Sequence, residues 1–223
     1  MLAPYKYHTI QAMRKMYDQR GISLIVVLLI LVIVSLLGVA SIQISRMATQ
    51  SARNERDTQI AWQAAESALL DAELDILGMP SESAQKRGYN TTDPTDPNNK
   101  INLFDRKNTD ISQFIEGCGN NKKNKGLCKI TEGATPNWLS VDFLATSNQR
   151  YVSFGEYTAR TFQAGEAGIQ PAHPPRYIVE LLDDPNIEHT KDVQHRKYIF
   201  RITAIGFGPN EKTQVVLQSI YRN

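Results

Sequence analysis

The chain has 223 residues, 41% of them hydrophobic and 22% charged, which leaves room for one membrane helix and one globular domain of about 140 residues. Its formal charge of +2 is unevenly placed: Lys6, Arg14, Lys15 and Arg20 against Asp18 make residues 1–21 net positive, and the remainder carries slightly more acid than base. This balance excludes the basic surface that direct nucleic-acid binding requires.

Residues 1–20, MLAPYKYHTIQAMRKMYDQR, read as a leader without a fold of its own, whether translation starts at Met1, Met13 or Met16. No charge follows until Arg46, and about 20 apolar residues suffice to cross a bilayer as a helix. Positive charge beside that run places the N-terminus in the cytoplasm and the bulk of the chain outside it. Three fates fit the run. A secretory signal would be cut after Gly38-Val39-Ala40, but the run is long for a signal core and the cut would strand the helix that follows. An uncleaved single-pass anchor is the second. The third is a cut on the cytoplasmic side, between Gly21 and Ile22, that leaves the whole apolar helix on the mature chain.

From Ile22 to Leu77 the pattern predicts one helix, which at 1.5 Å per residue is roughly 84 Å long. Residues 22–45 are apolar all round, as a lipid-embedded or bundle-buried segment must be. Residues 46–77 are amphipathic: Ile60, Ala64, Ala68, Ala72 and Ile76 recur every fourth position, flanked by Ala61, Ala65 and Leu69. A stripe of small residues lets a helix come close to a sheet or another helix. Glu66 borders that stripe and is expected to be solvated or paired locally. Gly78-Met79-Pro80 ends the helix.

Residues 79–150 show weak periodicity. Thr91 to Asn99 is turn-rich and lacks the spacing of a calcium loop. Lys122, Lys123 and Lys125 read as a solubilising loop tip. Cys118 and Cys128 are ten positions apart in this region. In an oxidising extracytoplasmic compartment they form a disulfide, worth about 3 kcal/mol by loop closure. No His cluster or second Cys pair suggests a metal.

Residues 151–222 are strand-rich, with runs at 151–154, 177–181, 197–204 and 214–221 dense in β-branched and aromatic side chains. In the third run Tyr198, Phe200, Ile202 and Ala204 share one face, and Ile199, Arg201 and Thr203 the other. Gly206 to Asn210 suits a hairpin loop. An antiparallel sheet with an apolar face needs a cover, and the amphipathic half of the long helix is the candidate. The expected fold class is α+β, a long N-terminal helix packed on a C-terminal antiparallel sheet.

This arrangement resembles a type IV prepilin, and within that class the PilX-like minor pilins. Gln19 to Val27 is similar to their processing site, Arg56 to Leu69 to their "AAE-xAL" helix segment, and Tyr198–Gly206 with Val215–Ser219 to their closing strands. The resemblance covers 22–77 and 176–221, and no family signal is evident across 79–150. It implies cleavage by prepilin peptidase between Gly21 and Ile22 and an N-methylated Ile22. It further implies helix packing through Gly38, Ala40, Ala64, Ala68 and Ala72. The implied partners are other minor pilins, the major pilin, the inner-membrane assembly platform and a tip adhesin. Most pilins carry glutamate at the fifth mature position, where this chain has Val26. A buried carboxylate at lipid depth needs a charged partner, so its loss points to a tip or initiation subunit. K-type pseudopilins of type II secretion also resemble the chain in lacking it.

The implied function is a minor pilin that primes pilus assembly and serves motility, adhesion or DNA uptake from the inner membrane and then the pilus tip. A secretion pseudopilin and a membrane-anchored periplasmic enzyme or ligand-binding protein are the alternatives. No cofactor is expected, and His8, His173, His189 and His195 lack triad or ligand spacing.

Overall fold

The computed structural model describes residues 22–77, 87, 104, 110–165, 169–185 and 198–222. Gly21 and the leader, the turn-rich 91–99 segment, and His8, His189 and His195 lie outside the described residues.

Helix α1 runs Ile22–Leu77 over 56 residues without interruption. The chain separates into two compact units, Met1–Ser51 and Ala52–Asn223, so α1 contributes to both. In the first unit the apolar run has a mean hydropathy of 3.2 and none of it is buried, which qualifies it by length and composition to cross a membrane.

The second unit is built on a six-stranded sheet. Its strands are β1 (Ile115–Glu116), β2 (Leu127–Lys129), β3 (Val152–Ser153), β4 (Arg176–Asp183), β5 (Tyr198–Phe207) and β6 (Gln214–Tyr221). Their order is β1-β2-β4-β5-β6, with β3 also paired to β4. Strands β3 to β6 pair antiparallel, as the alternating pattern leads one to expect. The sheet is nevertheless mixed, because β1 and β2 join it in parallel, Leu127 opposite Val179 and Ile115 opposite Cys128. The 79–150 stretch is therefore not loop throughout. It supplies these two strands and the short helix α2 (Asn137–Ser140). Strands of two and three residues are too short to show a period-2 pattern.

Both faces of the sheet are covered. On one, Ala68, Ala72 and Ile76 of α1 join Phe104, Phe114, Leu127, Tyr177, Phe200, Ile202 and Ala204. Phe104 and Phe200 meet edge to face at 5.2 Å, a favoured aromatic geometry. On the other face, Cys118, Cys128, Val141, Phe143 and Tyr151 from the 117–151 segment cover Ile178, Ile205 and Phe207. This is why the second face of β5 is mostly buried, Thr203 included, where the sequence pattern predicts half exposure.

Gly206 is not in the turn. It is a strand residue opposite Val215, and a Cβ there would lie 2.0 Å from the Ala61 carbonyl oxygen and 2.4 Å from the Ala65 nitrogen. Only glycine allows the backbones of α1 and β5 to approach so closely. The turn itself begins at Gly208, whose N–H donates to the Thr213 carbonyl at 2.8 Å.

Candidate functional site

Within the first unit every residue from Ser23 to Ser51 is exposed, Ala40 among them. Val26 stands 49% exposed, and a Cβ on Gly38 would meet nothing within 4 Å. Two hydroxyls in the run close onto the helix: Ser35 donates to the Leu31 carbonyl at 2.7 Å and Ser41 to that of Leu37 at 2.8 Å. Hydroxyls satisfied in this way can enter an apolar medium without a lost hydrogen bond. The surface is an apolar cylinder with small residues at Gly38 and Ala40, suited to lipid or to like helices.

Within the second unit, Ala64, Ala68 and Ala72 are buried against the sheet. The same face carries Asp71 and Asp75, one turn apart and both buried. Arg87 grips Asp75 with Nε at 3.1 Å from both carboxylate oxygens and Nη2 at 2.7 Å from Oδ2. The Tyr177 hydroxyl donates to Asp75 Oδ2 at 3.0 Å. Arg87 Nη1 donates to the Lys125 carbonyl at 2.7 Å, and its guanidinium lies 4.2 Å above the Tyr157 ring. Asp71 accepts a short hydrogen bond from Thr158 Oγ1 and another from the Gly155 N–H at 2.8 Å. The Arg160 guanidinium stands 3.8 Å away. Two carboxylates thus fasten the helix to the 155–160 turn, to β4 and to the disulfide loop.

The electrostatics follow from that burial. Desolvation pushes the Asp71 carboxyl above its ordinary value, against the opposing pull of Thr158, Gly155 and Arg160. Burial works against the Arg87 charge, but Asp75 overrides it and raises the guanidinium's pKa. Burial, reinforced by Asp75, raises the Tyr177 phenol well above its usual range. Glu66 is exposed and accepts from Trp62 Nε1 at 2.7 Å, a local pair one turn apart.

The opposite face has its own clasp. Glu180 is fully buried and takes Arg201 Nε at 2.7 Å and Asn137 Nδ2 at 3.0 Å. Asn137 also donates to the Lys129 carbonyl at 3.1 Å, tying α2 to β2. Cys118 and Cys128 form a disulfide with Cα atoms 4.0 Å apart. The chain leaves β1 through two left-handed residues, Gly117 and Cys118, each at φ 68°. Of the three loop lysines, Lys122 and Lys123 are exposed. Lys125 is not a solubilising tip: its ammonium binds Glu156 at 2.7 Å and Gln149 at 3.0 Å.

Sequence patterning identifies the alanine stripe but not Asp71, Asp75, Arg87, Thr158, Tyr177 or Glu180. The signal available was the placement of Asp71 and Asp75 at i+3 from Ala68 and Ala72, on the buried side of the helix. Among the described residues no group of His, Cys, Asp and Glu could hold a metal. His173 pairs with Glu211 at 3.1 Å at the surface. The buried charges Asp71, Asp75, Arg87 and Glu180 each fix one element to another.

Two family models match the chain. One, described as PilX N-terminal, covers residues 20–70. The other, described as type IV pilus assembly protein PilX C-term, covers 115–223. Together they span well over half of the sequence. The second match reaches into the 115–150 segment, so the family likeness is wider than the closing strands alone suggest. No curated protein and no solved structure matches the chain.

Proposed function

The chain belongs to the PilX family of type IV pilus assembly proteins, and from that premise we propose that it is a minor pilin that primes pilus polymerisation and sits at or near the pilus tip. Prepilin peptidase cuts between Gly21 and Ile22, and the new N-terminus at Ile22 is methylated. Residues 22–45 then hold the chain in the inner membrane with the second unit outside. The assembly platform moves this helix from lipid into a bundle with the helices of other minor pilins and the major pilin. Gly38 and Ala40, exposed along the apolar cylinder, permit close approach there. Motility, adhesion or DNA uptake follow from the pilus so primed, with a tip adhesin as the outermost partner.

Val26 is the observation that carries the tip placement. It stands in a helix with no charge between residues 21 and 45. A carboxylate at that depth is tolerable only with a charged partner, and a subunit at the end of a filament lacks one neighbour. Val26 equally suits a K-type pseudopilin. Against that second reading, a K-type subunit carries a large helical insertion, and the roughly 70 residues between α1 and the strand-rich region are few for one beside the sheet.

Gene deletion tests the function, with complementation by the natural chain and by Val26→Glu. Deletion abolishes or sharply reduces surface pili, the natural chain restores them, and Val26→Glu restores them poorly. Normal piliation with impaired protein export on deletion would favour the pseudopilin. Full rescue by Val26→Glu would remove the tip argument.

A further inference from the structure

Within the second unit, α1 buries one side against the sheet and leaves a row of side chains on the other side uncovered. Trp62, Glu66, Leu70, Glu73 and Leu77 follow one another at intervals of four, four, three and four residues, the spacing of one row along a helix. Trp62 is 47%, Leu70 56% and Leu77 46% exposed. Glu66 is exposed and Glu73 half-buried. The Trp62 indole N–H donates to Glu66 Oε1 at 2.7 Å, which ties the ring to the next turn before any partner arrives. A pre-ordered tryptophan with exposed leucines on the same row has the make-up of a contact surface.

The charge along this stretch has one sign. From Asp57 to Leu77 the helix carries Asp57, Glu66, Asp71, Glu73 and Asp75 and no lysine, arginine or histidine. Inside the fold Arg56 answers Asp57 at 3.1 Å, and Arg87 answers Asp75 at 2.7 Å. Asp71 is met by Thr158, by the Gly155 N–H and, at 3.8 Å, by Arg160. Glu66 and Glu73, the two acids on the uncovered row, are in no ion pair among the described residues.

Shape, charge and the pilus setting select the occupant together. The row is about four turns and 22 Å long, so the element that covers it end to end is another helix, whose side chains fill the spaces between Trp62, Leu70 and Leu77. In a pilus assembly the helices at hand are those of other subunits. A second copy of this chain does not fit this face: in parallel it sets Glu66 on Glu66 and Glu73 on Glu73, and antiparallel it sets Glu66 on Glu73. Like charges across an interface are destabilising, and an anionic lipid surface is repelled for the same reason. A helix with lysine or arginine two turns apart meets both carboxylates.

We propose that the Trp62–Leu77 row of α1 receives a helix of a different pilus subunit, with apolar side chains against Trp62, Leu70 and Leu77 and two basic residues seven positions apart against Glu66 and Glu73. This inference rests on the pilus-assembly reading and adds to it the face that meets the partner and the chemistry of the partner helix.

The test places a photo-cross-linking amino acid at Gln63, Leu70 and Leu77, one at a time, in the full chain expressed in piliated cells, with each captured residue mapped by mass spectrometry. The expected result is that Leu70 and Leu77 capture residues about seven apart on one segment of another pilus subunit that carries lysine or arginine at the same spacing. Glu66→Lys/Glu73→Lys should lower capture at least about tenfold, and exchanging the captured segment's two bases for glutamate should restore it. Glu66→Gln/Glu73→Gln, which adds no charge and keeps an acceptor for Trp62, should weaken capture in the same direction. Capture of residues two apart, of a segment without bases, of a second copy, of lipid or of this chain's own 78–103 segment would overturn the proposal. So would no capture, undiminished capture in both double variants, or failure of the exchanged charges to restore it. Pilus loss on gene deletion without such capture removes this inference alone, whereas undiminished pili on deletion remove the pilus-assembly reading beneath it.

Discussion

Arg87 and Asp75 form a buried ion pair whose side chains are only 3% and 4% exposed, and its removal should be felt throughout the second unit. Arg87→Met deletes three guanidinium contacts to Asp75 and leaves the carboxylate buried with the Tyr177 hydroxyl alone. Breaking one side of such a pair costs about 3–5 kcal/mol, because the remaining charge stays desolvated. Asp75→Leu should cost a similar amount, since Arg87 would keep the Lys125 carbonyl and the Tyr157 and Phe104 rings but no carboxylate. The double variant Asp75→Leu/Arg87→Met removes both charges and should be within about 1–2 kcal/mol of the natural chain. The coupling energy is then about 4 kcal/mol or more, well beyond the additivity seen for independent sites. Against a typical domain stability of about 5–15 kcal/mol, either single change is severe. The measurement is urea unfolding of the full chain in detergent micelles, followed by tryptophan fluorescence, since Trp138 packs against the outer-face core. Single variants within about 1 kcal/mol of the natural chain, or a double variant equal to the sum of the singles, would refute the reasoning.

Gly206→Ala should destabilise the second unit by about 1–3 kcal/mol or more, because the obstruction at 2.0 Å is the Ala61 backbone oxygen and no side chain can rotate away. Thermal unfolding checks this, and an unchanged midpoint would contradict the close approach of α1 to β5. Cys118→Ser/Cys128→Ser should lose about 3 kcal/mol, while thiol labelling of the natural chain finds both cysteines unreactive. Labelling of either in the native protein would remove the disulfide. Burial raises the Asp71 carboxyl above its unfolded value of 3.8, so the fold binds that proton more tightly than the unfolded chain does. The contribution of Asp71 to stability is therefore greatest below pH 3.8 and declines as pH rises through the folded pKa. The difference in unfolding free energy between the natural chain and Asp71→Asn, followed upward from pH 3.8, should fall. A rise would contradict the direction of the shift.

The long helix and strands β4 to β6 were legible because each repeats its own period over many residues. Ala64, Ala68 and Ala72 mark the buried side of α1, and Phe200, Ile202 and Ala204 mark the face of β5 that meets it. Periodicity does not reveal polar groups that serve as fasteners. The role of Asp71 and Asp75 is not visible in the pattern of α1, since their partners Arg87, Thr158 and Tyr177 lie 12 to 102 positions away. The parallel strands β1 and β2 were hidden for a related reason. Two and three residues cannot display alternation, and their place is set by the pairing of β2 with β4, of β1 with β2, and by the Cys118–Cys128 bridge. Gly206 misled in the other direction. A glycine near Gly208-Pro209-Asn210 looks like part of a turn, and only the position of the Ala61 backbone shows that it serves a close packing contact.

The central claim, that this chain is a processed pilus subunit, meets its most direct test in the mass of the mature N-terminal peptide from sheared pili and from inner membranes. The account predicts a chain beginning at Ile22 with a methylated amine, present in both fractions. A chain beginning at Ser41, or one that keeps residues 1–21, would contradict it.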